Sequence, residues 1–223
     1  MTKIVSPREF FGAIARRYDR EYAPPSDQSK AKMARVLSHL PTEKSRVLDL
    51  GVGTGRELPA LLDAGHEVVG VDIAEPMIEL AKKRARPIEI VLADFWSPPL
   101  PFADARFDAV LALHGTLAHP PDDALLAMSN LATELARILR PLGVVLLEVP
   151  SPAFIEAIRA QPSPVARELA SDRSIHEDVA LGVAIEARAF APERWIEAFC
   201  RHFEVSVETI SDVEQLVVGR LVG

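Results

Sequence analysis

The chain has 223 residues, 48% hydrophobic and 26% charged, enough apolar content for one substantial core and a single domain as the expected organisation. Its net charge of −7 gives no basic footprint, which argues against a nucleic-acid partner, and no window carries the long uncharged run of a membrane span. The single cysteine, Cys200, excludes an internal disulfide and a cysteine metal cluster, and the opening MTKIVSPREFF has no secretory apolar core, so cytoplasmic residence is expected.

In the opening REFFGAIARRYDREY, Phe11, Ile14, Ala15 and Tyr18 recur at helical spacing and predict an amphipathic helix over 8–22. After the Ala23-Pro24-Pro25-Ser26 break a second helix, Asp27 to Leu40, is expected, capped by Ser26 or Asp27, stopped by Pro41 and covering one face of the first strand. Ser45 to Asp72 reads SRVLDLGVGTGRELPALLDAGHEVVGVD. This predicts a strand from Arg46 to Leu50, a tight turn at Gly51, Gly53 and Gly55, a helix with Pro59 in its first turn, and a strand from His66 ending on Asp72. The dinucleotide spacing G-x-G-x-x-G fails, because Arg56 stands where the third glycine belongs. Asp49 also places a carboxylate at the mouth of the turn, which suits a cationic ligand better than a pyrophosphate. Asp72 is placed to accept both hydroxyls of a ribose diol.

With DLGVGTG (Asp49 to Gly55) and VVGVD (Val68 to Asp72), the chain resembles the class I S-adenosylmethionine-dependent methyltransferases of the small-molecule type. The resemblance implies S-adenosylmethionine as cofactor, held by Asp49, Gly51, Gly53, Gly55, Asp72 and Ile73. It also implies that a Tyr-Asp pair on the first helix, here Tyr18 and Asp19, folds over the methionine end of the cofactor. The plainer alternative is a helix that merely docks its aromatic face on the sheet.

Further along, a helix is expected from Pro76 to a basic end, Lys82, Lys83, Arg84 and Arg86, read as solvated charge that complements the helix dipole. Ile88 to Ala93 is nearly continuous in apolar residues and predicts a buried parallel strand ending on Asp94-Phe95. In the family an acid here meets the adenine amino group and the next residue packs on the ring. Acids thus stand at three successive strand ends, Asp49, Asp72 and Asp94. Trp96 to Arg106 reads as loop and Phe107 to Leu113 as the fourth strand, whose last residue, Leu113, the resemblance assigns to the cofactor. The strand exits into HGTLAHPPDD, with His114 and His119. Asp122 or Asp123 then caps a helix that Pro141 stops, and a fifth strand runs from Val144 to Val149.

The proline-rich segment from Pro150 to about Leu181 is expected to hold short helices at 153–160 and 165–170, and Gly182 to Ala189 alternates like a strand. A helix opens at Pro192, with Cys200 packed on a helix face, and 203–210 and 215–222 form a closing strand pair around a polar turn at 211–214. The expected fold is α/β: a Rossmann-like, seven-stranded, mostly parallel sheet with one antiparallel strand and helices on both faces. A helical cap at about 150–190 covers the substrate, and all of 1–223 forms one domain.

Methyl transfer from a sulfonium has an excellent leaving group, so positioning and desolvation dominate. A hydroxyl acceptor must also lose its proton, and His119 and His114 are the candidate bases, each otherwise a plain pocket-lining or structural histidine. Glu148 ranks behind them, facing either the pocket or solvent. No metal is expected, since Glu148-Val149-Pro150 stands where catechol-type enzymes carry an Asp-Asn pair. The Asn-Pro-Pro-Tyr signature of adenine and glutamine N-methylation is absent, and Cys200 lies too late for cytosine-C5 chemistry. The expected activity is O-, N- or C-methylation of a small molecule by a monomer or homodimer. Two other readings stay open: a cofactor-binding regulatory partner without turnover, and another nucleotide-binding enzyme on a related fold.

Overall fold

The computed structural model describes residues 2–22, 26–40, 44–85, 87–161 and 166–223. The chain opens with β1 (Lys3–Ile4), α1 (Pro7–Tyr22) and α2 (Ser26–His39). Alternating elements follow: β2 (Arg46–Leu50), α3 (Leu58–Asp63), β3 (Glu67–Asp72), α4 (Glu75–Arg84), β4 (Glu89–Leu92) and β5 (Phe107–Ala112). Next come a 3-10 turn at Thr116–Ala118, α5 (Ala124–Ile138) and β6 (Leu139–Pro150). The remainder is α6 (Pro152–Ala160), β7 (Ala166–Ala170), β8 (Arg173–Asp178), β9 (Val183–Arg188), α7 (Pro192–Phe199), β10 (Phe203–Ser211) and β11 (Glu214–Leu221). Pro41, Arg86, Pro162, Pro164, Val165, the Ala23-Pro24-Pro25 break and the Ser26 and Asp27 side chains lie outside the described residues. So do the expected cap and stop of α2.

The main sheet has seven strands in the order β10-β11-β6-β5-β2-β3-β4, and β11 alone runs against its neighbours. That is the expected mostly parallel Rossmann-like sheet. Strand order reverses between β2 and β5, which pair in parallel with Leu48 opposite Val110, so a crevice opens beyond their carboxyl ends. Alternate residues of β2 feed opposite cores: Leu48 and Leu50 face α5 and α7, whereas Val47 faces α2 and α3. Both faces are covered, which is why β2 and β5 read as unbroken apolar runs.

Four expectations change. β4 is half-exposed rather than buried, because it is the sheet's outer strand and nothing pairs with its far side. α5 ends at Ile138, before Pro141, and β6 follows at once, its first residues broken by a turn in which Leu142 has φ of +67°. Cys200 is exposed at the C-terminal cap of α7 rather than packed on a helix face, its Sγ donating to the Glu197 carbonyl. The cap holds one helix, α6, and a second sheet in the order β1-β9-β8-β7, so 166–170 is strand where a helix was expected. β1 adds to β9 in parallel and ties the start of the chain into this cap. Among the described residues no helix is long and apolar enough to cross a membrane.

The glycine turn between β2 and α3 is wedged against α4. A Cβ on Gly55, at φ +77°, would come within 2.7 Å of Leu58 Cδ1 and 3.1 Å of the Ala81 backbone. Gly55→Ala is therefore expected to lower unfolding free energy by about 1–3 kcal/mol through backbone strain and overpacking. Urea denaturation checks it; an unchanged midpoint would show that the turn tolerates a side chain.

Candidate functional site

A cavity of about 320 Å³ lies at the carboxyl edge of the sheet, over the point where strand order reverses. Its floor is the turn after β2, with Gly51 and Gly53. That turn and the loop after β5 approach so closely that a Cβ on Gly51, at φ +68°, would fall 2.4 Å from Thr116 Cγ2. The ends of β3 and β4 bring Asp72, Ile73, Asp94 and Phe95 to one wall. Tyr18, His114 and His119 reach it from α1 and the β5 exit. A narrower recess of about 30 Å³ shares Tyr18, Gly51, Gly53 and His114 and adds Asp49, Leu113, Arg56 and Glu57. Gly55 lines neither space and acts as a spacer against α4.

Three carboxylates crowd this edge, Asp49 and Asp72 buried and Glu57 partly so, each in a different environment. Asp72 accepts the Gly53 N–H on Oδ2 and the Ala74 N–H on Oδ1, both at 2.8 Å, so one side chain ties the β2 turn to the start of α4. Burial raises its pKa, opposed by those backbone donors. Burial alone would raise Glu57 too, but the hydrogen bond and charge of His114 bring it below its ordinary value. Asp49, 3% exposed, has no partner on Oδ2. Burial, with the charges of Glu57 and Asp72, pushes its pKa well above the carboxylate range. Asp94 accepts the Trp96 N–H at 2.9 Å, so it caps its own turn and faces the cavity at once.

The two histidines differ. His114 has φ of +57° and its Nε2 donates to the Glu57 carboxylate, so that nitrogen is engaged. His119 Nδ1 lies 2.7 Å from the Glu186 carbonyl oxygen of β9. A carbonyl only accepts, so Nδ1 carries the proton and Nε2 presents a lone pair. Burial lowers the His119 pKa to about 4, which leaves the ring neutral at physiological pH. The edge of Phe11 packs on it with ring centres 5.4 Å apart.

α1 is fastened at both ends. Its N-terminus closes a Ser6-x-x-Glu9 capping box, with Ser6 N–H to Glu9 Oε2 at 3.1 Å and Glu9 N–H to Ser6 Oγ at 3.3 Å. Near its C-terminus Asp19 accepts the Thr54 hydroxyl of the glycine turn and pairs with Arg84 of α4. The Arg56 guanidinium lies 5.3 Å over the Tyr18 ring. Mid-helix, Arg17 pairs with Asp178 of the cap. Arg84 is therefore part of this fastening, not the solvated helix end its neighbours suggested. Glu148 meets neither pocket nor solvent: 1% exposed, it takes Lys32 Nζ at 2.7 Å. Among the described residues no group of His, Cys, Asp or Glu is arranged to hold a metal ion.

Residues 47–143, from β2 to the turn in β6, match the family model of the methyltransferase domain. Over that stretch the chain carries a methyltransferase domain. It is 33% identical over 147 residues to the cypemycin N-terminal methyltransferase of a Streptomyces species, covering 64% of this chain and 57% of that protein. To the demethylmenaquinone methyltransferase of Thermus thermophilus it is 36% identical over 150 residues, 64% of this chain and 65% of the relative. The chain thus spans less than two thirds of the length of these curated relatives. The fold likeness extends further, with a TM-score of 0.69 and 21% identity to the DhpI–SAH complex over 96% of this chain and 94% of that one.

Every site residue expected from the sequence except Gly55 reaches the cavity or its recess in this methyltransferase domain. Sequence reading missed Glu57, Thr54 and Arg84, whose partners are distant in the chain; the Ser6-x-x-Glu9 box is the one local signal that was there to be read.

Two outcomes follow from these contacts. Asp49→Asn should raise the melting temperature of the ligand-free protein at mildly alkaline pH, because it removes a buried acid whose raised pKa makes ionisation cost stability. The sign is set by the upward shift: the cost is fully present above the folded pKa, shrinks as pH falls from there toward the ordinary carboxylate value and is gone below it, so the gain should shrink on acidification. A melting curve lower than the parent's across that pH range would contradict it. Asp19→Ala should speed amide exchange over 7–22 while lowering the global unfolding free energy by no more than about 1 kcal/mol, since the pair, 34% and 37% exposed, is screened by solvent.

Proposed function

We propose that the chain binds S-adenosylmethionine across the carboxyl edge of its sheet and transfers the methyl group to a small molecule. The observation that carries this reading is buried Asp49, its Oδ2 without a partner among the described residues, in a recess that shares Tyr18, Gly51, Gly53 and His114 with the cavity that Asp72 lines. An unpaired buried acid calls for a cation, and the ammonium of the methionine end supplies one. Asp72 takes the ribose hydroxyls, Ile73 and Phe95 flank the adenine, and Asp94 accepts from its amino group. Gly51 and Gly53 let the backbone approach, Leu113 borders the methionine end, and Tyr18 covers it from α1.

When bound, the cofactor supplies an activated methyl on a positively charged sulfur, transferable in line to a nucleophile. The chain's own residues position the acceptor, exclude water and hold its proton. His119 is the base in this reading, its Nδ1 pinned by Glu186 and its Nε2 lone pair available. His114, held by Glu57, helps shape the methionine end instead. A regulatory binder without turnover would have no use for that lone pair. Demethylmenaquinone and cypemycin name the acceptors of two relatives, and their difference shows how far acceptor identity varies within the matched domain. The absence of a strong basic balance favours a small acceptor over a nucleic acid. We also place the β-rich cap over the acceptor.

Calorimetry tests the reading. S-adenosylmethionine and its demethylated product should bind and nicotinamide dinucleotides should not; saturable binding of the dinucleotide alone would overturn it. Asp72→Ala should weaken binding at least ten-fold, since a hydrogen bond to a charged group contributes roughly 1.5–3 kcal/mol. Binding should release protons, because a cation beside Asp49 favours its ionised form. The raised pKa values of Asp49 and Asp72 place the acid loss of affinity at a higher pH than ordinary carboxylates would give. Titrations in buffers of different ionisation heat read that release.

A further inference from the structure

The side of the cavity contributed by the start of α1 and by the loop after the 3-10 turn is formed by Ser6, Pro7, Phe11, His119, Pro120 and Pro121. Its polar atoms are few and mostly committed. The Ser6 hydroxyl both donates to Glu9 Oε2 and accepts the Glu9 N–H. His119 Nδ1 is committed to Glu186, which leaves Nε2 as an acceptor with no donor among the described residues. The rest is apolar and flat: two consecutive prolines, a third at the start of α1, and Phe11 set edge-on to the imidazole at an interplanar angle of 66°.

Resting on the methyltransferase reading above, we propose that this side binds an uncharged aromatic alcohol of the phenol class, its ring against Phe11 and the prolines and its hydroxyl donating to His119 Nε2. Charge decides against the other classes. Among the described residues no lysine or arginine lines this cavity; Arg56 of the adjoining recess lies over the Tyr18 ring and 4.0 Å from Asp19, and Arg17 and Arg188 pair with Asp178 and Asp172. A carboxylate or phosphate on the acceptor would be buried unpaired, with Asp72 and Asp94 adding repulsion. An alkylammonium would meet only Asp72 and Asp94, both already accepting backbone N–H groups, and an imidazole that stays neutral down to about pH 4 is a poor place to leave its proton. A phenol needs only a lone pair for its hydrogen and a flat apolar slot for its ring. Phe11 and His119 then set acceptor specificity from α1 and the β5 exit.

The test uses naphthol, its carboxylated counterpart hydroxynaphthoate, and naphthylmethylamine, titrated calorimetrically into the protein alone and into protein saturated with S-adenosylhomocysteine. Naphthol is expected to bind at least about ten-fold more tightly than the other two, the scale of one unmatched buried group. The unprotonated His119 Nε2 resonance of nitrogen-15-labelled protein should move upfield on naphthol addition, as an imidazole nitrogen does when it accepts a hydrogen bond. The parent should bind naphthol more tightly than naphthalene, which has no hydroxyl to donate, and His119→Phe should bind the two alike while retaining S-adenosylhomocysteine binding. Tighter binding of hydroxynaphthoate or of the amine, no binding of naphthol, or naphthol binding without a change at Nε2 would each overturn the proposal. Because the resonance is read on the parent protein, an unstable variant does not protect the idea. Failure of the homocysteine cofactor product to bind at all would instead sink the methyltransferase reading.

Discussion

Two backbone N–H groups on one carboxylate hold the working edge of this molecule together. Gly53 donates to one oxygen of Asp72 and Ala74 to the other, each at 2.8 Å, so the turn after β2 and the entry to α4 are fixed relative to each other through a single side chain. The acid lies just ahead of α4, where the helix dipole favours negative charge, and the two donors offset part of the cost of burying it. Everything that shapes the cavity is referred to that junction. Gly51 meets Thr116 across it, Gly55 meets Ala81 beneath it, and Thr54, between them, presents its hydroxyl to α1.

Concentrating acids at one sheet edge is costly, and the structure meets the cost in three ways. Asp72 is satisfied by backbone, Glu57 by the His114 imidazole, and Asp49 keeps one oxygen, Oδ2, with no partner among the described residues. The first two are self-sufficient and can be understood as architecture. The third is a standing electrostatic demand, and it sits in the recess where a positively charged ligand end would remove it. A fourth buried acid, Glu148, shows how the fold treats an acid it does not keep for a ligand: Lys32 is brought across from α2 to within 2.7 Å.

The main sheet was legible because its signals are local. Short apolar runs give β2, β3 and β5 to within a residue, and Pro59, Pro192 and Asp123 mark helix starts where the structure has them. The cap was not legible. Ala166–Ala170, ARELA, is composed largely of good helix formers, yet it pairs with β8 from Arg167 opposite Ile175, a choice made by a neighbouring strand and not by its own propensity. β4 misled in the opposite way, since apolar content cannot tell an inner parallel strand from an outer one. The side-chain network escaped for a further reason. Arg84 looks like any basic residue in a last helical turn, and only the approach of Asp19, 65 positions away, gives it a role.

Those long-range pairs also explain why the first helix matters to both halves of the cavity. Through Asp19 it holds the glycine turn and α4; through Arg17 and the strand β1 it holds the cap. Phe10, Ile14 and Ala15 pack with Met77 of α4 and with Ile185 of β9, and Ile185 precedes the residue whose carbonyl orients His119. α1 therefore cannot shift at the glycine turn without also disturbing the strand that sets the histidine tautomer. The glycine turn and the His119 ring are thus positioned through one helix, although they lie on opposite sides of β5 in the sequence.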